Sequence, residues 1–201
     1  MSRATSPSSI RTLGLFAVGA GLPNLLAFTP LRPLLIATLC AVYWLAAAGR
    51  RVKVGQGRAP RQKVCATGIG VAACICWAWG LQHWIAGESI AAFEAPWMTQ
   101  AAGPLWAWLA IVVLLAPFAE ERFFRGALFT TLQAGGREWV AVGGSALAFA
   151  VAHPYGAPAV TALGAGLVLG IVRAWTGDWR ASAAVHVAFN AAVWGVLQQS
   201  V

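Results

Sequence analysis

Six residues in three short stretches have the types and spacing to bring titratable and hydrogen-bonding groups together at membrane depth: Glu120, Glu121 and Arg125 in the first, His153 in the second, His186 and Asn190 in the third. The first stretch lies in a segment otherwise apolar from Leu105 to Leu132. Glu120, Glu121, Arg122 and Arg125 there make up four of the chain's twenty charged residues, and charge in such surroundings is expensive. Glu121 and Arg125 are four apart with the acid first, the favourable order for an ion pair along one helix face. Neighbouring Glu120 and Glu121 point about 100° apart around a helix axis, so one can turn to a cavity while the other braces Arg125. Phe149 precedes His153 by four, which lets the ring pack beside the imidazole. His186 and Asn190 repeat that spacing, and the amide can bond either the imidazole or a substrate carbonyl.

Such a set offers carboxylates that can act as a base and side chains that can donate hydrogen bonds. No Ser or Cys nucleophile stands out; Ser145 and Ser182 lie within a few residues of the histidines without any mark of activation. Glu120, His153 and His186 could instead hold zinc with one position left for water, and the same groups can work without metal. Blander readings exist for each stretch. The glutamates suit a solvated loop at the membrane surface, His153 an interfacial residue before Pro154, and His186 with Asn190 an interhelical hydrogen bond of about 0.6 kcal/mol. His83, between Gln82 and Trp84, reads as interfacial. Coincidence favours the site: in a chain with three His and six acids, two His and two Glu fall in separate apolar helices, each with a companion at helical spacing.

The elements that must position these groups are membrane helices. The 201 residues are 59% hydrophobic and 10% charged, with a mean hydropathy of +0.69 and 11 Trp, against roughly 25% charged for a soluble domain. The fold class is therefore all-α, a polytopic transmembrane helix bundle of about seven spans around a polar intramembrane cavity, in one domain covering 1–201. The net charge of +8 does not point to nucleic acid. Six of the fourteen basic residues (Arg50, Arg51, Lys53, Arg58, Arg61 and Lys63) sit without an acid in the 49–63 linker, as a cytoplasmic loop would have them. The four Cys lie in apolar runs and read as small buried hydrophobes.

A polar tail, 1–11, precedes apolar stretches at about 12–28, 34–48 and 64–86, the last carrying Trp77, Trp79 and Trp84 toward an aromatic belt. Gly55, Gly57 and Pro60 argue against helix in the linker; Glu88 and Glu94 mark the loop before Pro104. The segment 104–134 is about 46 Å long as a straight helix, longer than the hydrocarbon core of about 30 Å, and Pro117 is its expected break. Gly135 and Gly136 end it. Spans at 139–153, 159–175 and 181–197 follow, with Gly164, Gly166 and Gly170 allowing close helix approach. With the linker inside, the N-terminus and the 135–138 and 176–180 joints are cytoplasmic and the C-terminus is outside; Arg137, Arg173 and Arg180 agree with this and Arg32 does not.

Glu120-Glu121-x-x-x-Arg125, Phe149-x-x-x-His153 and His186-x-x-x-Asn190, in that order, resemble the signature motifs of the CPBP family (CAAX proteases and bacteriocin-processing enzymes, also called Abi). The likeness covers 104–197, about half the chain. It implies an intramembrane endopeptidase in which Glu120 activates the water, Glu121 is its partner, Arg125 is the basic residue of the motif, and His153, His186 and Asn190 complete the site. Zinc is the candidate cofactor. The implied partners are the lipid bilayer and a peptide or protein substrate, apolar or lipidated at one end: a CAAX protein, a bacteriocin precursor or a C-terminal sorting tail. The implied location is the bacterial inner or plasma membrane. Two other classes remain open on the sequence, a non-catalytic immunity or peptide-binding factor and a proton-coupled transporter, although no paired half-chain repeat is present.

Overall fold

The computed structural model describes residues 32–47, 59–84, 106, 109–154 and 156–198, and among them every regular element is helical. The expected first span, most of the basic linker, the loop of Glu88 and Glu94, and Pro104 lie outside the described residues. In chain order the elements are α1 (Arg32–Ala47), α2 (Pro60–Trp84), α3 (Ala116–Glu121), α4 (Phe129–Gln133), α5 (Glu138–Val151), α6 (Ala157–Thr176) and α7 (Trp179–Gln198). Two stretches of π-helix, Ala110–Leu115 and Arg122–Leu128, run into α3 and out of it. By length and composition α6 and Pro60–Leu81 of α2 are apolar enough to cross a membrane, with mean hydropathies of 1.6 and 1.8.

Two expectations need correction. Pro60 does not keep the linker irregular: it opens α2, where its missing N–H is one that a first helical turn leaves unbonded anyway, so Arg61 and Lys63 are helical. Nor does Pro117 break the long segment. It stands in the first turn of α3, directly after the π-helical turns. Proline cannot donate to the carbonyl four residues back and crowds it, and a locally widened helix relieves both problems without bending the chain away.

Packing is close where glycines permit it. A Cβ on Gly164 would collide with the Trp77 indole, so α2 presses an aromatic ring into a notch in α6. On another face of α6, Gly166 and Gly170 meet α5, with only 3.1 Å from an added Cβ to the Ala146 Cα and 3.2 Å to the Val142 Cγ1. This is the small-residue packing expected of membrane helices. Gly136, at φ 82°, ends the long segment as expected, and Gly177, at φ 70°, caps α6 by donating its N–H to the Arg173 carbonyl. One core cluster joins Tyr43 of α1 to Phe123, Phe124 and Phe149; another joins Cys74 of α2 to Leu169, Val185 and Phe189. The four cysteines are free; Cys74 is buried, but Cys65 and Cys76 are exposed on α2 rather than packed inside.

At one end of the bundle, Lys63 donates to Asp178 Oδ2 at 3.1 Å, and Asp178 Oδ1 accepts the Arg180 N–H at 3.0 Å. The joint between α6 and α7 is thereby tied to the start of α2. Burial pushes the Asp178 carboxyl up, but the Arg180 amide and the Lys63 ammonium outweigh it and hold the group below its ordinary range.

Candidate active site

The α3 helix and the π-helical turns after it set the two glutamates apart. Glu121 is 0% exposed, as is Arg125, whose Nη1 donates to Glu121 Oε1 at 2.7 Å. Two full charges in such a place need further partners. Arg125 Nη2 donates to the Gly166 carbonyl of α6 at 2.9 Å, and its guanidinium lies 4.5 Å over the Phe149 ring. The other basic residue of the turn points elsewhere: Arg122 stacks over Trp44 of α1 at 4.0 Å. Glu120 is the accessible carboxylate, with 21% of its side chain exposed.

His186, on α7, stands between the two acids. Its Nδ1 lies 3.1 Å from Glu121 Oε1, and its Nε2 lies 3.9 Å from Glu120 Oε2. A carboxylate facing a guanidinium can only accept, so Nδ1 carries the proton toward Glu121. Nε2 is then the atom turned to Glu120. The gap of 3.9 Å is too long for a direct hydrogen bond and suits a bridging water.

The remaining two candidates connect less directly. His153 lies in the turn that follows α5, not on the helix, and donates from Nδ1 to the Phe149 carbonyl at 2.8 Å. The Phe149 ring is 4.5 Å from the His153 ring and meets His186 edge-on at 5.6 Å, so one aromatic ring separates the two imidazoles. Asn190 donates from Nδ2 to the Val112 carbonyl at 3.0 Å. That bond ties α7 to the first π-helical stretch, where carbonyls are displaced from the usual ladder. Its Oδ1 is the amide's acceptor.

Glu121, Arg125 and His186 thus meet directly, Glu120 faces His186 across 3.9 Å, His153 joins through Phe149, and Asn190 joins through the backbone of Val112. Sequence spacing anticipated the Glu121–Arg125 pair and the Phe149–His153 contact. It did not single out Tyr43, which stacks on Phe123 at 4.9 Å and braces the acidic helix from α1. It also missed Arg173, whose Nε donates to the Arg125 carbonyl at 3.0 Å. An arginine inside the apolar run 159–175 was the available signal. As for zinc, no three His, Cys, Asp or Glu side chains among the described residues are grouped to hold a metal ion. Glu120, His153 and His186 do not fit that role in this arrangement, and nothing below passes through a metal.

No curated protein and no solved structure matches the chain. A family model does match, over residues 102–192, and its description is "Type II CAAX prenyl endopeptidase Rce1-like". All six motif residues fall within that stretch, in agreement with the resemblance carried by the motifs. Residues 102–192 of this membrane protein are thus similar to the Rce1-like family of type II CAAX prenyl endopeptidases.

Proposed function

We propose that the protein is an intramembrane endopeptidase in which Glu120 is the general base, acting from a polar cavity within a single membrane domain of about seven spans. The observation that carries this is the inequality of the two carboxylates. Glu121 is sealed and occupied by Arg125 and His186, whereas Glu120 is open and faces His186 Nε2 across a water-sized gap. A water held between Glu120 and His186 loses a proton to Glu120 as its oxygen attacks the substrate carbonyl carbon. Glu120 then returns that proton to the departing amine as the C–N bond breaks. His186 Nε2, unprotonated in this tautomer, accepts a hydrogen bond from the attacking water, and the Asn190 amide is the donor for the developing oxyanion. Glu121 and Arg125 hold His186 in its tautomer, and His153 orients it through the Phe149 ring.

The substrate in this reading is a peptide or protein carrying an apolar or lipidated end. An apolar groove of about 380 Å³, lined by Trp106, Leu109, Val113 and Leu114 on one side and by Ala191 and Trp194 of α7 on the other, suits such a substrate. The test is Glu120→Gln in purified full-length protein, with a farnesylated C-terminal peptide as substrate and products read by mass spectrometry. Wild type should release the C-terminal residues and the variant should not. An inactive wild type against every lipidated or apolar peptide tried, or an active Glu120→Gln, would overturn the assignment. Chelation followed by dialysis is expected to leave the rate unchanged.

A further inference from the structure

The π-helical turns Arg122–Leu128 leave one backbone group unserved at the site itself. The Phe129 N–H donates to the Phe124 carbonyl, five residues back. In an α-helix that same N–H would serve Arg125, four residues back. The Arg125 carbonyl has therefore lost its regular donor, and a buried carbonyl requires another. The Nε of Arg173, in the last turn of α6, donates to it at 3.0 Å, and the Arg173 guanidinium lies 5.3 Å over the Phe129 ring. Arg173 thus touches both residues whose pairing the wide register has changed. Seven residues earlier, about two turns along the same helix, the Gly166 carbonyl takes Arg125 Nη2. α6 carries none of the six motif residues, yet it grips Arg125 at the backbone and at the guanidinium.

We propose that Arg173 is a positioning residue: by donating to the Arg125 carbonyl it holds the Arg122–Leu128 turns in the π register, which keeps the Arg125 guanidinium on Glu121 and Glu121 against His186. Its consequence for turnover rests on the hydrolase assignment; the register claim does not. Without the donor, the Phe129 N–H is drawn back toward Arg125, the turns tighten, and the side chains of Glu121 and Arg125 rotate relative to each other. Misplacement by 1 Å in such a constellation is enough to slow catalysis about a hundredfold.

The test compares Arg173→Met, which keeps bulk but has no donor, with Arg173→Gln, whose amide nitrogen hangs on Cδ just as Nε does and so retains a donor without the charge. In full-length protein, Arg173→Met should speed amide exchange in peptides covering 122–133 by about tenfold, one lost hydrogen bond's worth, and leave 138–151 and 179–198 unchanged. Arg173→Gln should stay within about threefold of wild type. Exchange in 122–133 unaltered by Arg173→Met, or faster across all helices alike, would overturn the proposal. So would fast exchange in Arg173→Gln, which decides the matter alone should Arg173→Met not fold. With a cleavable substrate, Arg173→Met should lower kcat about tenfold at nearly constant KM. Added to Arg125→Lys it should lower kcat less than about twofold further, because the guanidinium it positions is gone. Additive losses would mark Arg173 as merely structural. A wild type without peptidase activity removes the hydrolase assignment but leaves the exchange result to decide the register.

Discussion

His186 Nδ1 stands 3.1 Å from Glu121 Oε1, the same oxygen that receives Arg125 at 2.7 Å. One carboxylate oxygen therefore fixes both a cation and an imidazole. The accessible glutamate beside it is left free of that duty. This division of labour makes the two acids separable by mutation.

Glu120→Gln is expected to leave folding intact and to lower turnover by roughly a hundred- to ten-thousandfold, the range for loss of a general base. Glu121→Gln should lower turnover too, and also stability, because it strands Arg125 at 0% exposure without its partner. Breaking a buried pair costs about 3–5 kcal/mol. Thermal unfolding in detergent beside a cleavage assay checks both; equal melting temperatures for the two variants would refute the distinction.

Gly164→Ala should loosen α2 from α6. The added methyl falls on the Trp77 indole, and overpacking of this kind costs about 1–3 kcal/mol. Trp77→Leu in the same chain should restore part of the loss, which thermal melts of the single and double variants would read.

Asn190→Ala removes the bond to the Val112 carbonyl. As an interhelical tether alone the amide is worth about 0.6 kcal/mol. If it also meets substrate, turnover should fall more than about tenfold, beyond what that tether explains. A loss of stability matched by an equally small loss of rate would confine Asn190 to packing.

Asp178 makes stability depend on acid. Its folded value is depressed below the ordinary 3.8, so its ionised form stabilises the fold fully above that value. The contribution disappears as pH falls through the lower folded value. Melting temperature should therefore drop as pH falls below about 4, and Asp178→Asn should flatten that part of the curve. A wild-type slope retained in the variant would assign the acid sensitivity elsewhere.

Local spacing made part of this site legible. Glu121 and Arg125 interact within one helical segment, and Phe149 and His153 within one turn, so the one-dimensional pattern contains their geometry. Gly164 and Gly166 were legible as points of close approach, though not which helix would fill each notch. The π register was not legible, because no residue type encodes it; Pro117 signalled a disturbance, and a widened helix absorbed it where a break was expected. Arg173 was counted only as a marker of the cytoplasmic side, since its partner is 48 residues away and is a backbone atom with no sequence signature. Pro60 misled because the same residue that disrupts a helix interior is at home in its first turn.

The partners of Arg125 and Glu121 also set an order of assembly. Gly166 follows Arg125 by 41 residues and His186 follows Glu121 by 65. During synthesis this segment emerges before the Gly166 carbonyl and the His186 imidazole that complete the partners of its buried pair. A lone segment with four charges is a poor passenger into hydrocarbon, at about 2.5–3.5 kcal/mol for each one near the centre. A segment of this kind is expected to settle in the membrane only once α6 and α7 have followed it, so the helix made earlier depends for its place on helices made later.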